Sequence, residues 1–540
     1  MLATDPAHLP GHHFVYLKTC AAHRSLRSLM HRFNLLLIIA LSILDSQGTP
    51  AMTAPPPQPA STIMPRHAFP MLPPLPVLEI PSDGTACPVS FGTPGRRQKM
   101  NTVQSLRLRL VIARACKAPF ILVGEDNSLP ICRWDIRYPV KGQFFEATLP
   151  AGYVLSDTII NGSAPLTLDI RMESGPEPLQ IYASLIADAD DGLEFFQPHF
   201  PAAPSGTLIE EMSRRLASKA MLTEFNWMAG NVLDGIMSGL YPEARAHALA
   251  KSYLSHYIDF DGVDAANPGR CPGYSVEDTA PFATLARIAP DHPQIDRVLA
   301  FWKSRADTQG ATIDHGRAVA EGNYTVAYPK AVIARVRRDA ALARAALTEL
   351  ALRRGKLVTP EGIWLRAAHG DTPRTYLNWA RGVAWYFLGL SATLAELRAA
   401  GHDTGDLPGE LHRVADWVLQ YQRVNGLWGG FLHEPETIED TSGSAGIAAA
   451  LATALNAGLL PEAFHAPTVR ALAGLECYLT PDGFLACSTQ RNVREAGEVF
   501  QRSNYRIISP YATGLYAVAL GKLRAIEKEK REQGSPSPSS

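Results

Sequence analysis

Apolar and polar residues alternate with a period of two between residues 100 and 203. The clearest examples are Leu106–Ile112 and Leu166–Met172, and Gly, Pro and Asn-Gly interrupt the chain between such runs. Alternation with this period is typical of strands that bury one face. The pattern predicts a β-rich accessory domain over residues 100–203, organised as a sandwich.

Beyond residue 204 the strand pattern gives way to Ala- and Leu-rich segments of helical length, most of them separated by Gly or Pro. They cover residues 207–225, 227–239, 242–258, 276–289, 293–306, 325–353, 377–400, 408–423, 442–457, 461–478 and 510–530. Several are apolar on nearly every face, which favours helices packed in two layers. The prediction is a mainly α fold, an (α/α)6 barrel over residues 204–528. A helical-repeat solenoid is the alternative, although no repeat of fixed period supports it.

The amino-terminal region predicts targeting rather than folding. Met30 opens a short basic stretch, and the apolar run Leu35–Leu44 and small residues follow. This order is that of a secretory signal, predicted here for residues 1–50, and the run is too short to span a membrane comfortably. A membrane anchor or a buried helix is the alternative. Export to the periplasm or the medium is the expectation, with a proline-rich linker at 51–99 and a disordered tail at 529–540.

Composition and residue spacing argue against several classes of function. The 540 residues carry a formal net charge of -1, so a basic surface for nucleic acid is not expected. The seven cysteines and the scattered histidines have no metal-ligand spacing, and there is no phosphate-binding or dinucleotide motif. The prediction is therefore no cofactor and no metal. Local spacing would allow disulfides between Cys116 and Cys132 and between Cys477 and Cys487.

Two segments carry candidate chemistry. In Trp379–Trp385, Arg381 and Trp385 lie four residues apart and share a helix face, where a guanidinium could pair with a sugar carboxylate while the indole stacks on the ring. A core tryptophan beside a surface arginine is the alternative. The second segment is Gly426–Gly446, with Trp428, His433 and Asp440. Its alternative is structural, because Asp440 or Thr441 could simply cap a helix.

In order and spacing, WARGVAW, GLWGGFLHEP and EDTSGSAG resemble the unsaturated glucuronyl and rhamnogalacturonyl hydrolases. The resemblance covers about residues 225–525, including Trp227 and the segment Tyr511–Tyr516. It implies an (α/α)6 barrel and an enzyme that acts on acidic oligosaccharides whose terminal uronic acid carries a C4=C5 double bond. An aspartate then protonates C4 and activates water for attack at C5.

The family has two such aspartates, and the first matches Asp278, which is therefore the best candidate for the catalytic carboxylate, with Glu277 as the second choice; the alternative is an ordinary acidic residue at a helix start. The family's second aspartate, its usual acid/base, is missing from the expected place, where Asn323 and Tyr324 stand after Glu321. Arginine also stands at 366, where relatives often have histidine. Tyr324 and Arg366 are therefore included among the candidate substrate-binding residues.

The sequence thus predicts a secreted glycosidase that releases a terminal uronic acid. Direct hydrolysis of a saturated uronide is an alternative and would need two carboxylates, Asp278 with Asp440 or Glu277. A relative that only binds carbohydrate, through Arg381 and the indoles, is a second alternative, and a helical scaffold without a sugar site is a third. The expected partner is the oligosaccharide, and the oligomeric state is left open.

Overall fold

The structure is a computed structural model, and it describes residues 75–92, 107–156, 159, 164–183, 192–201, 204, 206–260, 275–313, 316–493 and 496–534. The predicted signal region 1–50, the linker before residue 75 and the tail beyond residue 534 lie outside the described residues. The described residues all fall within one compact unit.

Eight strands form two antiparallel layers in the amino-terminal part, one a four-stranded sheet and the other two strand pairs. They are β1 (Val77–Ile80), β2 (Cys87–Phe91), β3 (Arg107–Val111), β4 (Pro119–Asp126), β5 (Leu129–Arg137), β6 (Phe144–Thr148), β7 (Leu166–Ser174) and β8 (Leu179–Tyr182). One sheet has the order β2-β7-β4-β5. In the other, β1 pairs with β8 and β3 with β6, and a bridge between Ile112 and Ile181 connects the two pairs.

The alternation along β7 is that of a strand with one buried face. Leu166, Leu168, Ile170 and Met172 are buried, and most of the residues between them are exposed. These side chains join a core in which the rings of Phe91 and Trp134 stack 6.0 Å apart, so the predicted sandwich is present.

The predicted linker boundary at residue 99 differs from the structure. Strands β1 and β2 lie within the residues predicted as linker. They belong to the folded domain, because β1 pairs with β8 and β2 pairs with β7. Proline-rich surroundings hid these two short strands, whose partners lie 75 to 105 residues later in the sequence.

Thirteen α-helices follow in the described residues. They are α1 (Leu208–Leu216), α2 (Trp227–Ile236), α3 (Glu243–Leu254), α4 (Phe282–Ile288), α5 (Pro293–Ser304), α6 (Tyr328–Arg337), α7 (Ala340–Leu357), α8 (Ala380–Ala399), α9 (Leu407–Leu419), α10 (Thr441–Asn456), α11 (His465–Glu476), α12 (Gly497–Arg502) and α13 (Pro510–Gly534). A small sheet, β9 (Val358–Thr359), β10 (Gly362–Arg366) and β11 (Thr375–Leu377), lies between α7 and α8. None of the described helices is both long and apolar enough to cross a membrane.

Six of these helices form a closed inner ring. Helices α2, α4, α6, α8, α10 and α13 each contact the next, and α13 returns to contact α2. Helices α1, α3, α5, α7, α9 and α11 pack outside this ring. The predicted (α/α)6 barrel is therefore confirmed. A solenoid is excluded, because an open stack would leave its first and last helices apart.

One predicted helix, over residues 325–353, is two helices. Arg338 adopts a left-handed conformation with φ 55°, which ends α6. The Asp339 side chain then accepts hydrogen bonds from the backbone of Ala341 and Leu342 and begins α7. At the other end of the barrel domain, α13 extends to Gly534, beyond the predicted boundary at 528 and into the predicted tail.

All five cysteines among the described residues are free thiols. The two disulfides allowed by spacing are therefore not formed in this structure. Burial raises the pKa of Cys132 to about 12 and that of Cys487 to about 11, which keeps both thiols protonated at neutral pH.

Candidate active site

The amino-terminal ends of the inner helices bring several predicted residues to one end of the barrel. Trp227 is the first residue of α2, and Asp278 lies in a 3-10 turn just before α4. Arg381 lies in the first turn of α8, and Asp440 is the N-cap of α10. Residues up to 213 positions apart in sequence, from Trp227 to Asp440, thus lie at the same end because each begins a helix of the same ring.

An aromatic cluster occupies the barrel axis. The ring of Trp227 lies 5.3 Å from that of Trp385 and 4.7 Å from that of Tyr511, both at steep angles. Trp385 in turn stacks on Tyr324 at 5.7 Å. Trp227 is half-buried, whereas the other three rings are buried. Trp227 is therefore the member of the cluster with a face available to a sugar ring.

Arg381 is buried and makes its hydrogen bonds within the protein. Its Nη1 donates to the Thr489 carbonyl at 2.6 Å and to the Tyr511 hydroxyl at 2.6 Å, and its Nη2 donates to the Gln490 carbonyl at 2.7 Å. Its guanidinium also lies 4.4 Å from the Trp379 ring. This arginine attaches the 489–490 segment to the inner ring, which differs from the substrate-facing fork that the sequence predicted.

Asp440 is fully buried and accepts four hydrogen bonds. Oδ1 receives them from the Ser442 amide at 3.1 Å, the Ser442 hydroxyl at 2.6 Å and the Thr489 amide at 3.0 Å. Oδ2 receives one from the Thr489 hydroxyl at 2.9 Å. The carboxylate is thus the helix cap that the sequence offered as the alternative, and it also holds the loop that Arg381 binds.

Asp278 is fully buried in the turn that precedes α4. Its Oδ2 accepts a hydrogen bond from the Ser275 amide at 2.7 Å, as part of a capping box. Glu277, in the same turn, is half-buried. Asp278 therefore has the helix-start role expected of an acidic residue. It is also shielded from solvent, at the end of the barrel where the inner helices begin.

Tyr324 and Arg366 point elsewhere. The Tyr324 hydroxyl donates to Asp234 Oδ2 at 2.6 Å, towards the opposite end of the barrel. The Arg366 guanidinium lies 5.3 Å from the Tyr376 ring, on β10. The structure therefore joins Tyr324 to the candidate site through its ring alone, and it places Arg366 against the small sheet.

The predicted sugar contacts of the Gly426–Gly446 segment are also not brought together. Trp428 is fully buried, and its indole donates to the Val418 carbonyl at 2.8 Å, which makes it part of the packing between α9 and α10. His433 lies at the surface, 3.6 Å from Glu434.

The small residues of the two motifs have a packing role that explains their spacing. A Cβ added at Gly443 would lie 2.5 Å from that of Ala380, and one added at Gly446 would lie 2.6 Å from that of Ala384. Helices α8 and α10 therefore touch through Ala against Gly over one turn. This close approach brings the first turn of α8 next to the Asp440 cap.

Sequence reasoning missed three residues of this region. Tyr511 contacts Arg381 and Trp227, and its position at the start of the last inner helix was a usable signal. Thr489 lies in an irregular loop that no pattern marks. Asp234, which accepts a hydrogen bond from Tyr324 of the aromatic cluster, is the one carboxylate of the buried helix α2 and could have been noticed for that reason. Among the described residues, no three His, Cys, Asp or Glu side chains cluster as metal ligands would.

Comparisons with known proteins agree with the motifs. The family model described as Glycosyl Hydrolase Family 88 matches residues 324–524. None of the curated proteins compared with the chain matches it. The matched region contains Arg381, Trp385 and Asp440, whereas Trp227 and Asp278 precede it.

Solved structures that are similar include a possible GH105 family member from Salmonella enterica, with 17% identity, 59% of this chain and 93% of that chain covered, and a TM-score of 0.49. A possible GH105 member from Klebsiella pneumoniae has 17% identity, coverage of 59% and 92%, and a TM-score of 0.49. An unsaturated glucuronyl hydrolase from Bacillus sp. GL1 has 16% identity, coverage of 55% and 87%, and a TM-score of 0.41.

Residues 324–524 thus match the model of Glycosyl Hydrolase Family 88, in agreement with the resemblance that the three ordered motifs indicated, and they lie within the (α/α)6 barrel.

Proposed function

We propose that the barrel removes a terminal uronic acid with a C4=C5 double bond from acidic oligosaccharides, and that Asp278 is its general acid/base. The family match supports glycosidase chemistry. The buried position of Asp278 at the amino-terminal end of the inner ring supports its role. Trp227, half-buried on the barrel axis, supplies an aromatic face for the sugar.

The observation that carries this proposal is that both carboxylate oxygens of Asp440 already accept hydrogen bonds within the protein. Direct hydrolysis of a saturated glycoside needs two carboxyl groups, one on each side of the bond. Of the two aspartates considered for that pair, Asp440 has both oxygens engaged by Ser442 and Thr489. A reaction that needs a single acid/base is therefore favoured over one that needs Asp278 and Asp440 together.

Hydration of an unsaturated uronide is such a reaction. The Asp278 carboxyl group donates its proton to C4, and the resulting carboxylate takes a proton from the water whose oxygen bonds to C5. The hydrated ring then opens, and the glycosidic bond breaks without attack at the anomeric carbon.

The proposal includes export. The apolar run Leu35–Leu44 predicts a secretory signal, and fragments left by a polysaccharide lyase are substrates that an exported enzyme would meet. Amino-terminal sequencing of the protein recovered from the medium or the periplasm tests this part separately.

Asp278→Asn is the direct test of the acid/base. The asparagine side-chain oxygen can still accept the hydrogen bond from the Ser275 amide, so the capping box survives while the transferable proton is lost. We expect turnover of lyase-generated oligosaccharides, measured as loss of the ultraviolet absorbance of the double bond, to fall by about 100-fold or more. Circular dichroism and thermal unfolding should match those of the wild type.

The neighbouring Glu277→Gln is the matched control, and we expect it to retain most of the activity. Equal activity in Asp278→Asn and the wild type would remove Asp278 from the mechanism. Release of free saturated uronic acid without an absorbance change would favour direct hydrolysis instead. Inactivity of the wild type in both assays, with saturable sugar binding, would favour the carbohydrate-binding alternative.

A further inference from the structure

A second polar cavity lies at the opposite end of the barrel. It has a volume of about 220 Å3, and residues near the carboxyl-terminal ends of α2, α4 and α6 contribute Asp234, Arg287 and Arg335 to its lining. Helices α8 and α13 contribute Glu396 and Lys522. Three cationic side chains thus face two carboxyl groups.

Hydrogen bonds within the protein already occupy both carboxyl groups. Asp234 accepts from the Tyr324 hydroxyl at 2.6 Å and from the Tyr328 hydroxyl at 3.0 Å. Glu396 accepts from Arg287 Nη2 at 2.7 Å and from Arg335 Nε at 2.5 Å. Each carboxyl group therefore already has a donor on each oxygen, and the cavity lining carries one cationic side chain more than it has carboxyl groups.

Lys522 is that third cation. It is half-buried in the wall of the cavity and makes no hydrogen bond or ion pair with the described residues. Burial, and then the neighbouring Arg287, lower the pKa of its ammonium group, and the charges of Glu396 and Asp234 offset this only in part. Arg335 offers further hydrogen-bond donors. Among the described residues it donates only from Nε, to Glu396, and its two terminal nitrogens are therefore available to an anion.

We propose that this cavity binds a small oxyanion, a carboxylate or a phosphate, between the Lys522 ammonium and the Arg335 guanidinium. A half-buried cation without a hydrogen-bond acceptor is unfavourable, and an anion with several acceptor oxygens would engage both side chains. The remaining wall is partly apolar, with Leu388, Ala392 and Val518, so the anion can carry a small uncharged body such as a sugar ring.

The cavity has a route to solvent. A neighbouring groove of about 380 Å3 shares Met237, Arg287 and Arg335 with it and continues to Tyr241 and His247. An anion of the size of phosphate or of a monosaccharide acid could enter by this groove, whereas a long polyanion would not fit the inner cavity. The site is separate from the proposed sugar site, since it uses the other ends of the same helices.

Lys522→Met tests the site, because methionine keeps an apolar stem and removes a charge that makes no described hydrogen bond. Inorganic phosphate and glucuronate are titrated separately into the full chain by calorimetry, which distinguishes a free inorganic ion from a sugar acid. We expect at least one of them to bind to the wild type, and binding to be about tenfold weaker or more in Lys522→Met. Lys528→Met is the matched control, because Lys528 is an exposed lysine on the same helix, and it should bind as the wild type does.

A crystal soaked in selenate provides a second measurement that does not depend on the variant folding. An anomalous peak within hydrogen-bond distance of Lys522 Nζ supports the site, and an empty cavity overturns it. So does wild-type affinity in a folded Lys522→Met. Phosphate binding should persist in Asp278→Asn, so failure of the glycosidase proposal and failure of the anion site give different results.

Discussion

At the residue scale, the role of a side chain in a sequence motif depends on its hydrogen-bond partners in the folded protein. Arg381 is the clearest example. The sequence identified a guanidinium beside indoles, which suits a sugar carboxylate. The structure instead places Thr489, Gln490 and Tyr511 around that guanidinium, and it leaves Trp227 as the half-buried aromatic ring.

Arg381→Lys should therefore lower stability. The single ammonium group of lysine cannot reach the Thr489 and Gln490 carbonyls as a planar fork does, so at least one buried carbonyl loses its donor. We expect the free energy of unfolding, measured with denaturant, to fall by about 2 to 3 kcal/mol.

Arg366→Lys is the comparison for this prediction, because Arg366 is half-buried and contacts mainly the Tyr376 ring. We expect a change below about 1 kcal/mol there. Unchanged stability of Arg381→Lys, together with weaker binding of acidic sugars, would return Arg381 to the substrate-binding role that the sequence predicted.

At the element scale, the contact between α8 and α10 determines how the motifs meet. Gly443 faces Ala380, and Gly446 faces Ala384, so the two helices approach with no side chain between them. The two glycines of EDTSGSAG therefore have an explanation that a local sequence pattern could not supply, because their partner residues lie 63 and 62 positions earlier.

Gly443→Ala should destabilise the barrel. The new Cβ would lie 2.5 Å from that of Ala380 and 2.9 Å from its carbonyl carbon, so one of the two helices must move. We expect a loss of about 1 to 3 kcal/mol in the free energy of unfolding, as for other overpacked cores.

Gly355→Ala is the matched substitution, since Gly355 lies inside α7 and nothing would contact its added Cβ within 4 Å. There we expect a gain of about 0.5 to 1 kcal/mol from helix propensity. A Gly443→Ala protein as stable as Gly355→Ala would show that the two inner helices can separate freely.

At the scale of the whole molecule, the sandwich and the barrel share buried polar contacts. Arg109 of β3 pairs with Asp482, which lies beyond α11, and neither side chain is exposed. His199 is buried beside them, with its ring 6.3 Å from Phe144 of the sandwich, and its Nδ1 lies 2.7 Å from the Gln197 carbonyl. Such a junction should make the two parts unfold together.

His199 makes stability depend on pH. Burial, and then the Arg109 charge, lower the pKa of His199 to about 4, whereas an unfolded histidine titrates near 6.5. Between these values the unfolded chain binds a proton that the folded chain does not. The stabilisation is therefore complete above about pH 6.5 and is lost as the pH falls towards about 4, by at most about 3 kcal/mol.

Denaturant unfolding at several pH values checks this prediction by difference. His199→Phe should lose less stability than the wild type between pH about 6.5 and about 4. His412→Gln, a half-buried histidine on α9, serves as the control. Identical pH profiles for the wild type and His199→Phe would exclude His199 as the source.

The sequence by itself determined the two architectures and their order. Period-two alternation marked the strands of the sandwich, and long apolar segments between Gly and Pro marked the barrel helices, because both signals arise from local burial. It also identified Asp278, Arg381 and Asp440 as residues of helix starts, which in a closed ring share one end.

Only the tertiary structure decided what those residues do. Asp440 and Arg381 bind a loop about 50 and 110 positions further along the chain, and such pairings leave no local pattern. Strands β1 and β2 likewise pair with strands far along the sequence. In the sequence Lys522 is an ordinary helix lysine, and only the packing of the inner helices places it in the wall of a cavity. The burial and the hydrogen-bond partners of a side chain depend on residues far apart in sequence. The sequence therefore predicted the fold class, but it could not separate residues that stabilise the fold from residues available for catalysis or binding.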